Sequence, residues 1–347
     1  MEFGSDNTAP AAPEIMAALA AANAGHRPSY GEEAAMGRVA GRLRELFEAP
    51  DAHVGLLATG TAANALALAC LCPPWGTVMC HRAAHVAIDE CGAPEFFTGG
   101  AKLTTLDGGD AKIAPDALAA AIAALAVGDV HRAQPAVLSL TDVTERGAIY
   151  RPAEIAALAG MAHEAGMKVH LDGARFANAL AALGCSPAEL SWKAGVDALC
   201  LGGTKNGLMA AEAVILFDPE LAWEFQLRRK RGGHLFSKHR FLSAQMEAYL
   251  EGDLWLRMAG HANAMAARLA GGLAAKGYPP AHPVEANIVF TAFPADLLTQ
   301  LQGQGLQTSV WPAEPGTPAA ARDDPLCRLV CSWATTEDEV DALIDAL

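Results

Sequence analysis

Residues 196–217 read Val196-Asp-Ala-Leu-Cys-Leu-Gly-Gly-Thr-Lys-Asn-Gly-Leu-Met-Ala-Ala-Glu-Ala-Val-Ile-Leu-Phe. The apolar run at 198–201 predicts a buried strand. Gly202 and Gly203 end it, and glycine permits a sharp change of direction. A lone Lys205 follows, and a second apolar run at 213–217 predicts a return to a sheet. A bare ammonium between two buried strands is costly to desolvate. Burial lowers a lysine's proton affinity and makes its amine a nucleophile toward aldehydes. Lys205 therefore has two readings: a Schiff-base lysine, or a turn residue whose head reaches water.

The stretch upstream bears on that choice. Residues 168–176 read Lys168-Val-His-Leu-Asp-Gly-Ala-Arg-Phe. Val169-His-Leu is a short strand pattern with Asp172 at its carboxyl end, and Arg175 follows the turn at Gly173. Alone, Asp172 reads as a helix N-cap. In open α/β sheets, however, ligands bind outside the carboxyl ends of strands. An acid there, then a strand, a turn and a lysine, is the pair that pyridoxal phosphate needs. The lysine holds the aldehyde carbon and the carboxylate keeps the ring nitrogen protonated.

The Asp172-Gly-Ala-Arg-Phe and Gly202-Gly-Thr-Lys-Asn-Gly stretches resemble the low-specificity L-threonine aldolases, pyridoxal-phosphate enzymes of the aspartate-aminotransferase-like fold. The resemblance covers nearly the whole chain. It implies an α/β fold: a mostly parallel central sheet in a large cofactor-binding domain with an N-terminal arm (1–248), and a smaller C-terminal α+β domain (249–347). It implies retro-aldol cleavage of L-threonine, L-allo-threonine and related β-hydroxy-α-amino acids. It also implies a homo-oligomer, either a tetramer or a dimer with shared active sites. Another lyase reaction on this scaffold, such as β-elimination, and a non-catalytic homologue are the alternatives.

Composition bounds these readings. The chain has 347 residues, 52% hydrophobic and 18% charged, enough for about two domains with a large core. A net charge of −14 argues against nucleic acid and anionic membranes as partners. It leaves room for an anionic cofactor, because the local field at a site outweighs the global sum. Eight scattered cysteines without paired zinc spacing, and a polar start, predict a reduced cytoplasmic protein with no metal. No apolar run reaches membrane length.

Along the chain, helix patterns fall at 14–23, 38–47, 115–126, 152–165, 255–276, 295–303 and 337–347. The helix at 255–276 is expected to break or strain near Gly271-Gly272. Strand patterns fall at 53–59, 77–80, 101–105, 136–140, 282–293, 308–311 and 326–333, with a loop at 316–324. Strands alternating with helices from 53 to 203 predict parallel order with crossover helices. Gly60 and Thr61 open an apolar helix running to about residue 71. Free backbone N–H groups and the helix dipole suit a phosphate there, and both residues match the family's phosphate turn. No glycine-rich nucleotide fingerprint is present.

The resemblance supplies the remaining roles. His85 stacks on the coenzyme ring, with Glu90 orienting it. Thr204 joins Lys205 and Arg175 at the coenzyme. Lys230 and Lys238, in the basic segment 228–240, reach a neighbouring subunit's phosphate, although a solvated helix face or subunit salt bridges explain those charges equally well. Ser5, Arg175 and Arg328 hold the substrate carboxylate, and Arg328 lies in an apolar strand, where a guanidinium wants an anion. Tyr30 reaches an active site from a neighbouring subunit, or is a packing residue. One branch of the family carries a histidine where Glu145 stands. The proton acceptor is therefore left among His85, His131, Glu145 or a water held by them.

Overall fold

The structure, a computed structural model, describes residues 1–125, 127–311 and 324–347. Position 126 and most of the loop expected at 316–324 lie outside the described residues.

Seven strands form the main sheet: β1 (His53–Leu57), β2 (Gly76–His81), β3 (Lys102–Leu106), β4 (Gln134–Thr141), β5 (Lys168–Gly173), β6 (Ala198–Leu201) and β7 (Glu212–Leu216). Their spatial order is β1-β7-β6-β5-β4-β2-β3. Pairings from β3 through β6 are parallel, and β7 runs antiparallel to both β6 and β1. Helices join the parallel strands, because a parallel return needs a crossover. The last six residues of β4, and all of β6 and β7, are buried. Strands covered on both faces read as continuous apolar runs, which is why they were legible.

This topology puts one set of chain ends on one edge of the sheet. β1, β2, β4, β5 and β6 all finish there, and β7 begins there. The turns at that edge carry Gly60, His85, Glu145, Asp172 and Lys205. His131 precedes β4 and so lies at the opposite edge. It is exposed, its backbone N–H tied to Asp129 Oδ1. His131 thus does not line the cavity that holds His85 and Glu145 within one copy.

A second, antiparallel sheet has the order β8-β10-β9, with β8 at Ile288–Ala292, β9 at Ser309–Trp311 and β10 at Leu326–Val330. The strand expected at 282–293 starts late. Residues ahead of it dock instead on the large sheet's loops. His282 Nδ1 meets Asp110, and Glu285 accepts the Ile149 N–H and pairs with Arg151. The arm at 1–4 belongs to the small sheet: Phe3 donates to Gln307 O, accepts from Val330 N, and is buried with Leu269, Phe293 and Leu329.

The helix Leu254–Ala275 runs unbroken through Gly271-Gly272. Gly272 is there for packing: a Cβ would lie 2.1 Å from Ile344 Cδ1 of the closing helix, Glu337–Asp345. Gly202 and Gly203 also serve close approach rather than a turn. A Cβ on Gly202 would sit 2.4 Å from Ala174 O, and one on Gly203 2.6 Å from Ala211 O. Neither has a positive φ; the left-handed position is Gly207, at φ 94°. The missing side chains let the lysine turn press against the Asp172 turn.

Candidate active site

A cavity of about 260 Å³ opens at the shared edge, lined by Thr59, Gly60, Thr61, Asn64, His85 and Glu145 on one side. Asp172, Thr204, Lys205 and Glu212 complete it. Its volume lies near the lower end of small-ligand sites. Lys205 sits in a single 3-10 turn, Thr204–Asn206. Behind it, Glu212 Oε2 accepts the Gly203 N–H at 2.8 Å, and burial pushes the Glu212 carboxyl up. Asn206 is anchored to Tyr249 Oη and Trp255 O, which pins the far end of the turn.

The phosphate-binding expectation has a physical basis here. The helix Gly60–Leu71 starts at the cavity, and its Thr59 cap accepts the Ala62 N–H. A Cβ built on Gly60 would meet nothing within 4 Å, so this N-terminus is open to a ligand.

Asp172 is buried. Its Oδ1 accepts the Ala174 N–H at 3.0 Å and its Oδ2 accepts from Asn64 Nδ2 at 3.0 Å. Asn64 Nδ2 also donates to Glu90 Oε1 at 2.9 Å, and His85 Nδ1 lies 2.9 Å from the same oxygen. The Glu90 hydrogen bond, helped by Asp172 and Glu145, outweighs burial and holds the His85 imidazole above its usual pKa. Burial raises the Glu90 carboxyl as well. Glu90 does orient His85, as expected. Asn64, Glu212 and Asn7, which also lines the cavity, were missed. A lone asparagine in the run Ala62–Leu71 and a lone acid opening an apolar strand were the available signals.

A second group of charges adjoins the cavity. Arg175 is buried and grips Asp6 with two bonds, Nε to Oδ2 at 2.7 Å and Nη2 to Oδ1 at 2.8 Å. Asn287, just before β8, donates to the same carboxylate at 3.1 Å. Arg175, expected at the coenzyme and the substrate carboxylate, has Nε and Nη2 engaged by Asp6, leaving Nη1. Burial works against the Asp6 carboxylate, yet Arg175, Lys205 and Arg328 outweigh it and hold the carboxyl below its usual pKa. Arg328 is a second buried guanidinium near this group, and the Asp6 carboxylate feels its charge. It is buried in β10, its guanidinium lies 5.5 Å from the Trp311 ring, and its Nε has no partner. Burial and the neighbouring Arg175 lower its pKa to about 10, partly offset by Glu145, Asp6 and Asp89.

The Asp6–Arg175 pair carries a stability prediction. Asp6→Ala leaves a guanidinium buried without its counter-charge, which costs about 3–5 kcal/mol, readable by urea unfolding. The depressed Asp6 pKa stabilises the fold above the unfolded carboxyl value of 3.8, and that stability is lost as pH falls through the lower folded value. Asp6→Asn should therefore flatten the acid limb of the stability curve; an unchanged limb would contradict the pairing.

The other sequence-derived residues sit elsewhere in one chain. Ser5 caps the short turn Asp6–Thr8 through Asn7 N, rather than the helix Pro13–Ala22. Tyr30 is 44% exposed at φ 60°, with Lys230 Nζ 4.4 Å from its ring centroid. Lys238 is exposed on the same surface region. None of these lines the cavity within a single copy.

Known proteins place this arrangement in a family. The profile of the beta-eliminating lyases matches residues 2–295. A low-specificity L-threonine aldolase from Pseudomonas aeruginosa is 44% identical over 343 residues, 99% of this chain and 95% of the relative. One from a Pseudomonas sp. is 43% identical over the same length. A solved threonine aldolase structure from Leishmania major superposes with a TM-score of 0.91 at 28% identity, covering 99% of this chain and 97% of that one. A Sphingomonas wittichii serine palmitoyltransferase, at 16% identity and a TM-score of 0.71, shares the fold. Family profile, end-to-end identity and architecture agree: the chain belongs to the beta-eliminating lyase family, among the low-specificity L-threonine aldolases.

Proposed function

We propose that this chain is a pyridoxal-phosphate-dependent aldolase that cleaves L-threonine, L-allo-threonine and related β-hydroxy-α-amino acids to glycine and an aldehyde. The observation that carries it is the convergence of Lys205, Asp172 and an open helix N-terminus on one cavity, with the buried Arg328, whose Nε has no partner, within electrostatic reach of the cavity's Glu145. The residues fit the coenzyme: Lys205 supplies the amine that would hold it, the Gly60 and Thr61 N–H groups its phosphate, and Asp172 its ring nitrogen. Thr204 lies beside Lys205 on the same wall. Bound there, the coenzyme supplies an electron sink for a bond broken at the substrate Cα.

The protein's own groups choose the bond. Arg328 and the spare Nη1 of Arg175 hold the substrate carboxylate, with Ser5 nearby in sequence to Asp6. That grip fixes which substituent of Cα can break, so orientation selects the reaction. The Cβ hydroxyl then needs a proton acceptor, and His85 suits the task. With Glu90 accepting the Nδ1 hydrogen, the Nε2 lone pair is left to take a proton. Glu145 lines the same cavity and holds the hydroxyl or a water.

Exposure of Tyr30, Lys230 and Lys238 supports a homo-oligomer in which these residues complete the phosphate end of another copy's cavity. Eight free thiols suit a reducing cytoplasm. Among the described residues no helix is long and apolar enough to cross a membrane.

Products from L-threonine test the reaction. Acetaldehyde and glycine are expected; ammonia and a keto acid would favour β-elimination and overturn the proposal. Arg328→Lys is expected to raise the threonine KM about 10- to 100-fold, because a point charge cannot replace a fork bonded to a carboxylate. Steady-state kinetics with an unchanged KM would remove Arg328 from the carboxylate site.

A further inference from the structure

We infer that Asn64 is a positioning residue that couples the two ends of the site: it fixes the His85–Glu90 pair and the Asp172 carboxylate in one hydrogen-bonded chain. The inference rests on the proposed function. Asn64 lies one turn into the Gly60–Leu71 helix, and it is the single polar residue between Ala62 and Leu71. Its amide has two hydrogens, and each goes to a different buried carboxylate, Glu90 at 2.9 Å and Asp172 at 3.0 Å. The reverse orientation would set its oxygen against both acids, so the hydrogen bonds themselves fix the amide. One helix thus presents its N-terminus to the phosphate end of the cavity and a second-turn side chain to the acids at the other end.

The chemical consequence follows from counting donors. Asp172 and Glu90 repel each other across the amide, and each receives one of its two neutral N–H donors, which favours the unprotonated form. Glu90, kept as an acceptor, takes the Nδ1 hydrogen of His85 and leaves Nε2 as the proton acceptor. Asp172, kept as a carboxylate, stays able to hold a proton on a ring nitrogen. The charged groups facing His85 are Glu90 of its own segment, Asp172 of β5, Glu145 after β4 and Lys205 after β6. Asn64 touches two of these without adding charge. Removing its donors makes Glu90 more basic, so the His85–Glu90 pair binds its next proton at higher pH.

Asn64→Leu, close in volume and without a donor, tests this in the full-length coenzyme-loaded protein. Histidine NMR on selectively labelled samples, with His85→Gln for assignment, follows the imidazole directly. Wild type should show the Nδ1–H tautomer. N64L should shift the His85 titration upward by about one pH unit, the scale of one hydrogen bond to a buried carboxylate. The acid limb of the kcat/KM profile should move the same way. N64D, isosteric and offering at most one donor, should shift in the same direction and guards against misfolding of N64L. Unshifted titrations in both folded variants, beside an active wild type, would overturn the inference alone. A wild type that binds no coenzyme and leaves threonine intact would overturn the functional proposal and this inference together.

Discussion

Lys205→Ala should lose threonine cleavage by several orders of magnitude and lose the visible absorption band of the coenzyme-loaded protein. The expectation comes from placement. Lys205 stands on a turn braced at both ends, by Glu212 on Gly203 and by Tyr249 and Trp255 on Asn206. No other lysine lines the cavity among the described residues. Lys230 and Lys238 lie on the outer surface and cannot substitute within one copy. A purified, folded variant that still cleaves threonine would end the assignment.

Asp172→Asn is the second large effect. The variant should still bind coenzyme, because the phosphate end and Lys205 are untouched. Turnover should fall about 10²–10³-fold, the usual cost of removing one preorganised electrostatic contact from developing charge. Asp172 makes its case by position: it ends the central strand β5 and is oriented through both oxygens, by the Ala174 N–H and Asn64. Coenzyme binding with wild-type turnover would contradict its role.

The large sheet and the lysine–aspartate pair could be read from the chain because the physics there is local. Strands covered on both faces need unbroken apolar runs, and the site residues lie at strand ends or three to four positions beyond them. Other features were illegible for reasons that are tertiary. Strand direction, which decides that His131 lies at the opposite edge from His85 within one copy, cannot be read from its neighbours in the chain. Gly202 and Gly203 looked like turn glycines, whereas the reason for them is the backbone of Ala174 and Ala211. The clamp on Arg175 could not be read because its partner, Asp6, lies 169 residues away. The stretch 282–287 looked like strand, but Glu285 and His282 are spent on tying the small sheet to the large one. Asn64 offered a signal in the sequence, one polar residue in a buried helix, whose meaning appears only once Glu90 and Asp172 converge on it.

The central claim, that Lys205 holds the coenzyme covalently at the edge of the main sheet, is tested most directly by trapping. Coenzyme-loaded protein would be reduced with borohydride, digested and mapped by mass spectrometry. The coenzyme's mass is expected on the peptide containing Lys205. A label on another lysine, or on none, would contradict the account.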